Sequence, residues 1–112
     1  MPRRTKSEPL DELFGTLANP TRRDILDALL AREHSAGELA DKFDMARPSV
    51  SEHLRNLRES GLVEERSEGR YRLYRVTAAP MAELMDWLTP YERFWRDRMS
   101  DLNHVLDRLD DE

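Results

Sequence analysis

A chain of 112 residues is one domain's worth, and a domain of this size buries only about two-thirds of the surface its unfolded chain exposes. It contains no cysteine, which removes disulfides, thiolate metal sites and thiol nucleophiles together, and no apolar run approaches the roughly 18 residues that span a bilayer. The net charge of −5 argues against a polyanionic partner, but Met45 to Val76 carries seven arginines against five acids and residues 1–9 are also net basic, so any basic face belongs to these two stretches.

Residues 1–9, with Arg3, Arg4 and Lys6 and no periodicity, read as a flexible basic arm. Leu10, Leu13, Phe14 and Leu17 recur at i, i+3, i+4 and i+7, which predicts a short helix with one buried face. Asn19-Pro20 starts a second helix, because asparagine caps free N–H groups and proline suits the first helical position. Ile25, Leu26, Leu29 and Leu30 form its apolar side, and it ends near Arg32. Ser35-Ala36-Gly37-Glu38 has the form of a capping box and starts a third helix with Leu39 and Phe43 inward. After a turn at Asp44, a fourth helix runs to about Ser60 with Val50, Leu54 and Leu57 inward, and Gly61 stops it. Leu62 to Arg66 and Tyr71 to Val76 are strand-like runs joined by Ser67-Glu68-Gly69-Arg70, which predicts a hairpin with a glycine at its tip. Pro80 opens another helix through Met81, Leu84, Met85 and Leu88, and Thr89-Pro90 with Glu92 starts a separate, long last helix. His34 and His104 are expected at the surface, and His53 in a hydrogen-bonded packing role on the flank of the fourth helix.

The third helix, short turn and fourth helix form a helix-turn-helix pattern, whose second helix enters a DNA major groove, and the hairpin adds a wing. With Val50 at 0°, Arg47, Ser51, Arg55 and Arg58 fall between about 60° and 140° on the helical wheel, while Leu54 and Leu57 stay within about 40° of Val50. One flank is apolar and another basic. Short serines let a backbone approach DNA closely, and arginine pairs with guanine in a bidentate manner or holds a phosphate. The candidate DNA-binding residues are therefore Arg47, Pro48, Ser49, Ser51, Glu52 and Arg55 on the helix, with Arg70 and Arg72 on the wing.

Three stretches make a specific resemblance: Leu17-Ala18-Asn19-Pro20-Thr21-Arg22-Arg23-Asp24-Ile25-Leu26, then Gly37-Glu38-Leu39-Ala40, then Arg47-Pro48-Ser49-Val50-Ser51-Glu52-His53-Leu54-Arg55-Asn56-Leu57. With Gly61-Leu62-Val63, Gly69-Arg70 and Tyr74-Arg75-Val76, they resemble the ArsR/SmtB family over roughly residues 10–76. The resemblance implies a winged helix whose fourth helix reads the groove, a homodimer formed by the first and last helices, and a repressor that occludes a promoter on a pseudo-palindromic site. The family's cysteine pair is absent, the third helix reading Glu38-Leu39-Ala40-Asp41-Lys42 where it would lie. Ala46 stands where many relatives place a serine that caps the recognition helix.

The fold expected is mainly α with a small β-hairpin, divided into the arm at 1–9, a winged helix-turn-helix at 10–79 and dimerisation helices at 80–112. In the last helix Tyr91, Trp95, Met99, Leu102, Leu106 and Leu109 step by three and four, close to the repeat of a helix–helix seam. The expected dimer interface is Leu10, Leu13, Phe14 and Leu17 with Phe94, Trp95, Met99, Leu102, Leu106 and Leu109. Leu, Ile, Val and Phe make up only about a fifth of the chain, close to the level at which charged chains stay disordered, so a partner subunit adds much. No serine, histidine and acid cluster, glycine-rich phosphate loop or metal-ligand set is present, so neither an enzyme nor a cofactor or metal site is expected. The expected partners are double-stranded DNA and a second copy, in the cytoplasm and not at a membrane, with a small-molecule effector left open. Two other readings remain: a winged-helix protein-interaction module, and a metal sensor using oxygen and nitrogen ligands such as Asp101 and His104.

Overall fold

The computed structural model describes residues 8–110. In chain order the elements are α1 (Glu8–Leu17), α2 (Pro20–Ala31), β1 (His34–Ser35), α3 (Ala36–Phe43), α4 (Arg47–Glu59), β2 (Val63–Glu68), β3 (Tyr71–Val76) and α5 (Ala78–Asp110). The described residues form two compact units, divided between Ala82 and Glu83. The basic arm expected at residues 1–9 lies mostly outside the described residues, but Pro9 belongs to α1.

Local chemistry sets the helix ends in the first unit. The Asn19 side chain accepts from the Arg22 backbone N–H at 3.1 Å, and Pro20 opens α2. Arg23 donates to the Leu17 carbonyl at 2.7 Å and so satisfies an acceptor left over at the end of α1. The capping box at α3 is complete: Ser35 Oγ accepts from the Glu38 N–H, and Glu38 accepts from the Ser35 N–H, each at 3.1 Å. That bond from Ser35, assisted by Arg32, holds the Glu38 carboxyl below its ordinary range against the opposing effect of burial. Asp44 then turns the chain at φ 51, in the left-handed region that a short polar side chain tolerates, and the Met45 N–H reaches back to the Ala40 carbonyl at 2.9 Å.

At the start of α4 no side chain caps the helix, because Ala46 occupies the N-cap position at φ −69 and ψ 140. Those angles suit a serine, whose hydroxyl would accept from the Ser49 N–H. Ala46→Ser should therefore raise stability by about 1 kcal/mol, read as an upward shift of the thermal midpoint of a few degrees. An unchanged midpoint would mean that this amide is already well satisfied by the Ala46 carbonyl, its acceptor at 3.1 Å.

The core of this unit is one cluster. Leu13, Ile25, Leu29, Leu39, Val50, Leu54, Leu57, Leu62 and Val63 are buried, and Leu10, Leu17, Phe43, Met45, Val76 and Met81 pack around them. Gly61, at φ 81, ends the α4 region and delivers Leu62 into the cluster. The sheet has the order β1-β3-β2, all antiparallel, with β2 and β3 in register from Val63↔Val76 to Glu68↔Tyr71. The hairpin tip is the two-residue turn Gly69-Arg70, with Gly69 at φ 59, so the wing strands are longer than the expected Leu62–Arg66 run allowed.

Three expectations are corrected. A third strand exists, the two-residue β1, which pairs His34 with Tyr74 and Ser35 with Leu73. His34 is consequently buried, not at the surface, and its Nδ1 lies 2.9 Å from the Arg32 carbonyl oxygen. His53 is half-buried on α4 as expected, but its buried Nδ1 has no hydrogen-bond partner among the described residues.

The third correction concerns the C-terminal region, where one helix replaces two. α5 runs unbroken for 33 residues with Pro90 inside it. Proline removes one backbone donor, and Thr89 Oγ1 donates to the Met85 carbonyl at 2.7 Å in the same turn. The apolar stripe continues across it. Leu84, Leu88, Tyr91 and Trp95 step by four, three and four, so the stripe crosses Pro90 without losing phase. Among the described residues no helix is long and apolar enough to cross a membrane.

Candidate nucleic-acid interface

The turn at Asp44 sets α3 and α4 against each other, and α4 is fixed by its inner face: Val50, Leu54 and Leu57 are at most 1% exposed. Their burial dictates what the opposite flank presents. Arg47, Pro48, Ser49, Ser51, Glu52 and Arg55 are all exposed, and so are Arg70 in the wing turn and Arg72 on β3. The structure therefore places every candidate DNA-binding residue at the surface, six of them on one helix whose rotation is locked by its core residues.

The arginines of this region divide into two sets. Arg58 meets Glu65 at 3.2 Å, Arg75 meets Glu64 at 2.5 Å, and Arg66 meets Glu33 at 2.8 Å and Glu68 at 3.3 Å. These pairs link α4, the segment before β1 and the wing strands to one another, so Arg58, placed by the helical wheel on the basic flank, is instead tied to β2. Arg55 meets Glu59 one turn along α4 at 3.4 Å, but both side chains are largely exposed, and such a pair contributes at most about 1 kcal/mol and opens readily. Arg47, Arg70 and Arg72 have no acid within ion-pair distance among the described residues.

Glu33 is the hub behind the wing. Its hydrogen bond from Arg66 Nε, 2.8 Å long, lowers its carboxyl below the ordinary range more than partial burial raises it, and the charges of Arg66 and Arg75 act in the same direction as the bond. A carboxyl with a lowered folded-state pKa contributes stability above its unfolded value, and that contribution is lost as pH falls through the folded value. The urea midpoint should thus drop on acidification from about pH 6 to pH 3, and Glu33→Gln should flatten part of that drop. A Gln variant with the parent's full acid response would show that the pair does not bear on stability. Tyr74, opposite Glu65 in the sheet, has its hydroxyl pushed up mainly by burial and next by the Glu65 charge, so it stays protonated through this range.

The residues expected at a subunit interface fall into two groups. Leu13 is 2% exposed and belongs to the chain's own core, which corrects its assignment; Leu10 and Leu17 are half-buried against the same core, and Phe14 is 38% exposed. The α5 residues differ. Phe94, Trp95, Met99, Leu102, Leu106 and Leu109 are all exposed, as is Tyr91 of the expected seam, and so are Trp87 and Val105, which neither the seam nor the expected interface included. Trp87 and Val105 lie about 80° from Trp95 on the helical wheel, beside Phe94, so the apolar arc of α5 is about 140° wide, broader than a two-helix seam. Wheel angles taken over the whole helix would have found them. The Trp87 and Tyr91 rings are 4.8 Å apart, and the Arg98 guanidinium sits 5.0 Å from the Phe94 ring centre. Asp101 and His104 lie exposed on α5, and among the described residues no group of three or more such side chains is placed to hold a metal ion.

A family model described as a helix-turn-helix domain matches residues 17–66, from the end of α1 into β2. The chain is 35% identical over 83 residues to the biofilm growth-associated repressor of Xylella fastidiosa, covering 74% of this chain and 73% of that protein. Among solved structures, an ArsR family transcriptional regulator superposes with a TM-score of 0.70 at 35% identity, over 80% of this chain and 98% of the other. The homodimeric winged helix-turn-helix DNA-binding domain of a Mycobacterium bovis protein superposes with a TM-score of 0.65 at 26% identity, over 83% and 90% of the two chains.

Proposed function

Because the chain belongs to the ArsR/SmtB family of winged helix-turn-helix transcriptional regulators, and is thus a DNA-binding regulator, we propose that it is a homodimeric repressor that occludes a promoter by binding a pseudo-palindromic operator. In this reading two copies of α4 enter successive major grooves about 34 Å apart. Ser49, Ser51, Glu52 and Arg55 face base edges, Pro48 lets the start of α4 approach the groove, and Arg47, Arg70 and Arg72 hold phosphates. The α5 helices form the subunit contact. The protein acts in the cytoplasm, where its operator lies.

The observation that carries the reading is the exposed flank of α4. Its basic and small polar side chains are presented by a helix that cannot rotate without exposing Val50, Leu54 and Leu57. Support for the dimer comes from the apolar arc of α5, which in a single chain leaves Trp95 and Leu109 each 64% exposed. The named behaviour of the relatives, a repressor and a homodimer, agrees with both halves.

Selection of bound duplexes from a random pool tests this directly. The expected product is an inverted repeat whose half-site centres are about one helical turn, or a multiple of it, apart, bound less tightly as salt rises. A pool with no enriched sequence, or one enriched in a single asymmetric site, would overturn it.

A further inference from the structure

Gly37 stands in the first turn of α3, where its φ is not positive and where alanine is the better helix former, so neither the backbone nor helix propensity asks for glycine there. The space left by its missing side chain is filled. The Arg47 guanidinium lies in it, with Cζ 3.1 Å and Nε 3.3 Å from the point a Cβ would occupy and Nη2 nearer still. Gly15, the other helical glycine, has nothing within 4 Å of the same point. Arg47 is the first residue of α4, and no acid among the described residues pairs with it. Glu38, next to Gly37 in sequence, is turned to the Ser35 N–H and to Arg32, each at 3.1 Å.

We propose that Gly37 is a positioning residue for DNA binding: its bare backbone is a seat that lays the Arg47 guanidinium across the first turn of α3, ready to meet a backbone phosphate of the operator. An arginine at the surface samples many rotamers and loses that freedom when it binds. Seating the guanidinium beforehand reduces the loss, and with it the free energy needed to form the contact. A methyl group at position 37 occupies the seat and pushes the guanidinium out. Since the atom that must give way is the far end of a flexible side chain, the fold accepts the change. The inference rests on the DNA-binding reading above and assigns Arg47 to a phosphate, so it predicts an effect that is the same for every sequence.

The experiment compares the parent chain with Gly37→Ala, Arg47→Ala and the double variant, each as the full-length protein, by fluorescence anisotropy on the selected operator and on an unrelated duplex. Gly37→Ala should melt at or above the parent and lose roughly fivefold affinity for both duplexes, somewhat less than Arg47→Ala loses. In the Arg47→Ala background the same substitution should change nothing. An equal loss in that background would mean that the added methyl group meets DNA itself, and parental affinity in Gly37→Ala would mean that the seat is idle; either result overturns the inference. In the DNA-free protein, 15N relaxation of the Arg47 side-chain Nε–H should show a more ordered guanidinium in the parent than in Gly37→Ala, and equal order would also overturn it. A parent protein that binds neither duplex while showing this difference in order would remove the DNA-binding reading and leave the seat itself standing.

Discussion

Trp95→Ala or Leu102→Ala should sediment as a monomer at concentrations where the parent chain is a dimer, and should lose most of its affinity for the operator. Both residues lie within about 20° of each other at the middle of the α5 arc, and Trp95 is 64% and Leu102 48% exposed in the single chain. Removing a central tryptophan from a subunit contact costs about 2–4 kcal/mol, enough to shift a dimer of two small subunits toward monomer. Operator affinity falls further than subunit affinity alone suggests. Once the two reading helices are no longer joined, the second half-site is no longer engaged at high local concentration, and the advantage lost is about a hundredfold or more. Sedimentation velocity beside a binding titration checks both parts. An unchanged dimer would place the contact elsewhere, and a monomer that still binds the full operator tightly would break the link between assembly and recognition.

Arg55→Ala should weaken operator binding by about 1–3 kcal/mol while leaving binding to random duplex nearly unchanged, because in the proposed reading its contact is with one base pair in each half-site. Arg55 is held on the exposed flank of α4 and gives up only an exposed pair with Glu59 to reach a base. Arg70→Ala should behave differently, weakening operator and random duplex alike and reducing the magnitude of the salt slope by about 1 for each phosphate contact removed. Arg70 sits in the exposed wing turn, where no base edge is needed to explain its charge. Titrations of both variants on both duplexes across a salt series separate the two roles. Equal losses on both duplexes for Arg55→Ala would move it to the phosphate backbone, and a sequence-dependent loss for Arg70→Ala would move the wing into a groove.

The split among the arginines bears on how an acidic chain attracts DNA. Seven arginines lie between Met45 and Val76, yet Arg58, Arg66 and Arg75 are committed to Glu65, Glu33, Glu68 and Glu64. Three cations on the α4 start and the wing remain without an acid beside them among the described residues, and in the proposed dimer their number doubles. Counterion release from six such contacts gives a salt slope of about −5, moderate for a specific regulator.

The helices and their ends were legible because each rests on a short-range rule. Asn19-Pro20, the Ser35 and Glu38 box, the turn at Asp44 and Gly61 all act through bonds to residues within five positions, and every one of them is formed. The inward faces of α3 and α4 followed from periodicity for the same reason, and so did that of α2 except for Leu30, which lies 76% exposed beside Ile25, Leu26 and Leu29. Thr89-Pro90 misled by the same logic: it has the form of a helix start, but the apolar stripe is in phase on either side of it, and the helix runs through at the cost of one backbone bond.

What composition, spacing and capping determined by themselves was the first four helices and the hairpin, the helix-turn-helix, and which flank of α4 is basic. Only the tertiary structure decided which arginines are committed to acids, that His34 is buried as part of a third strand, that Leu13 belongs to the chain's own core, and that Arg47 rests on Gly37. The physical reason is range. A cap or a helical stripe is written in neighbours a few residues apart, whereas Arg66 finds Glu33, and β1 finds β3, across more than thirty residues whose approach depends on how the whole core packs.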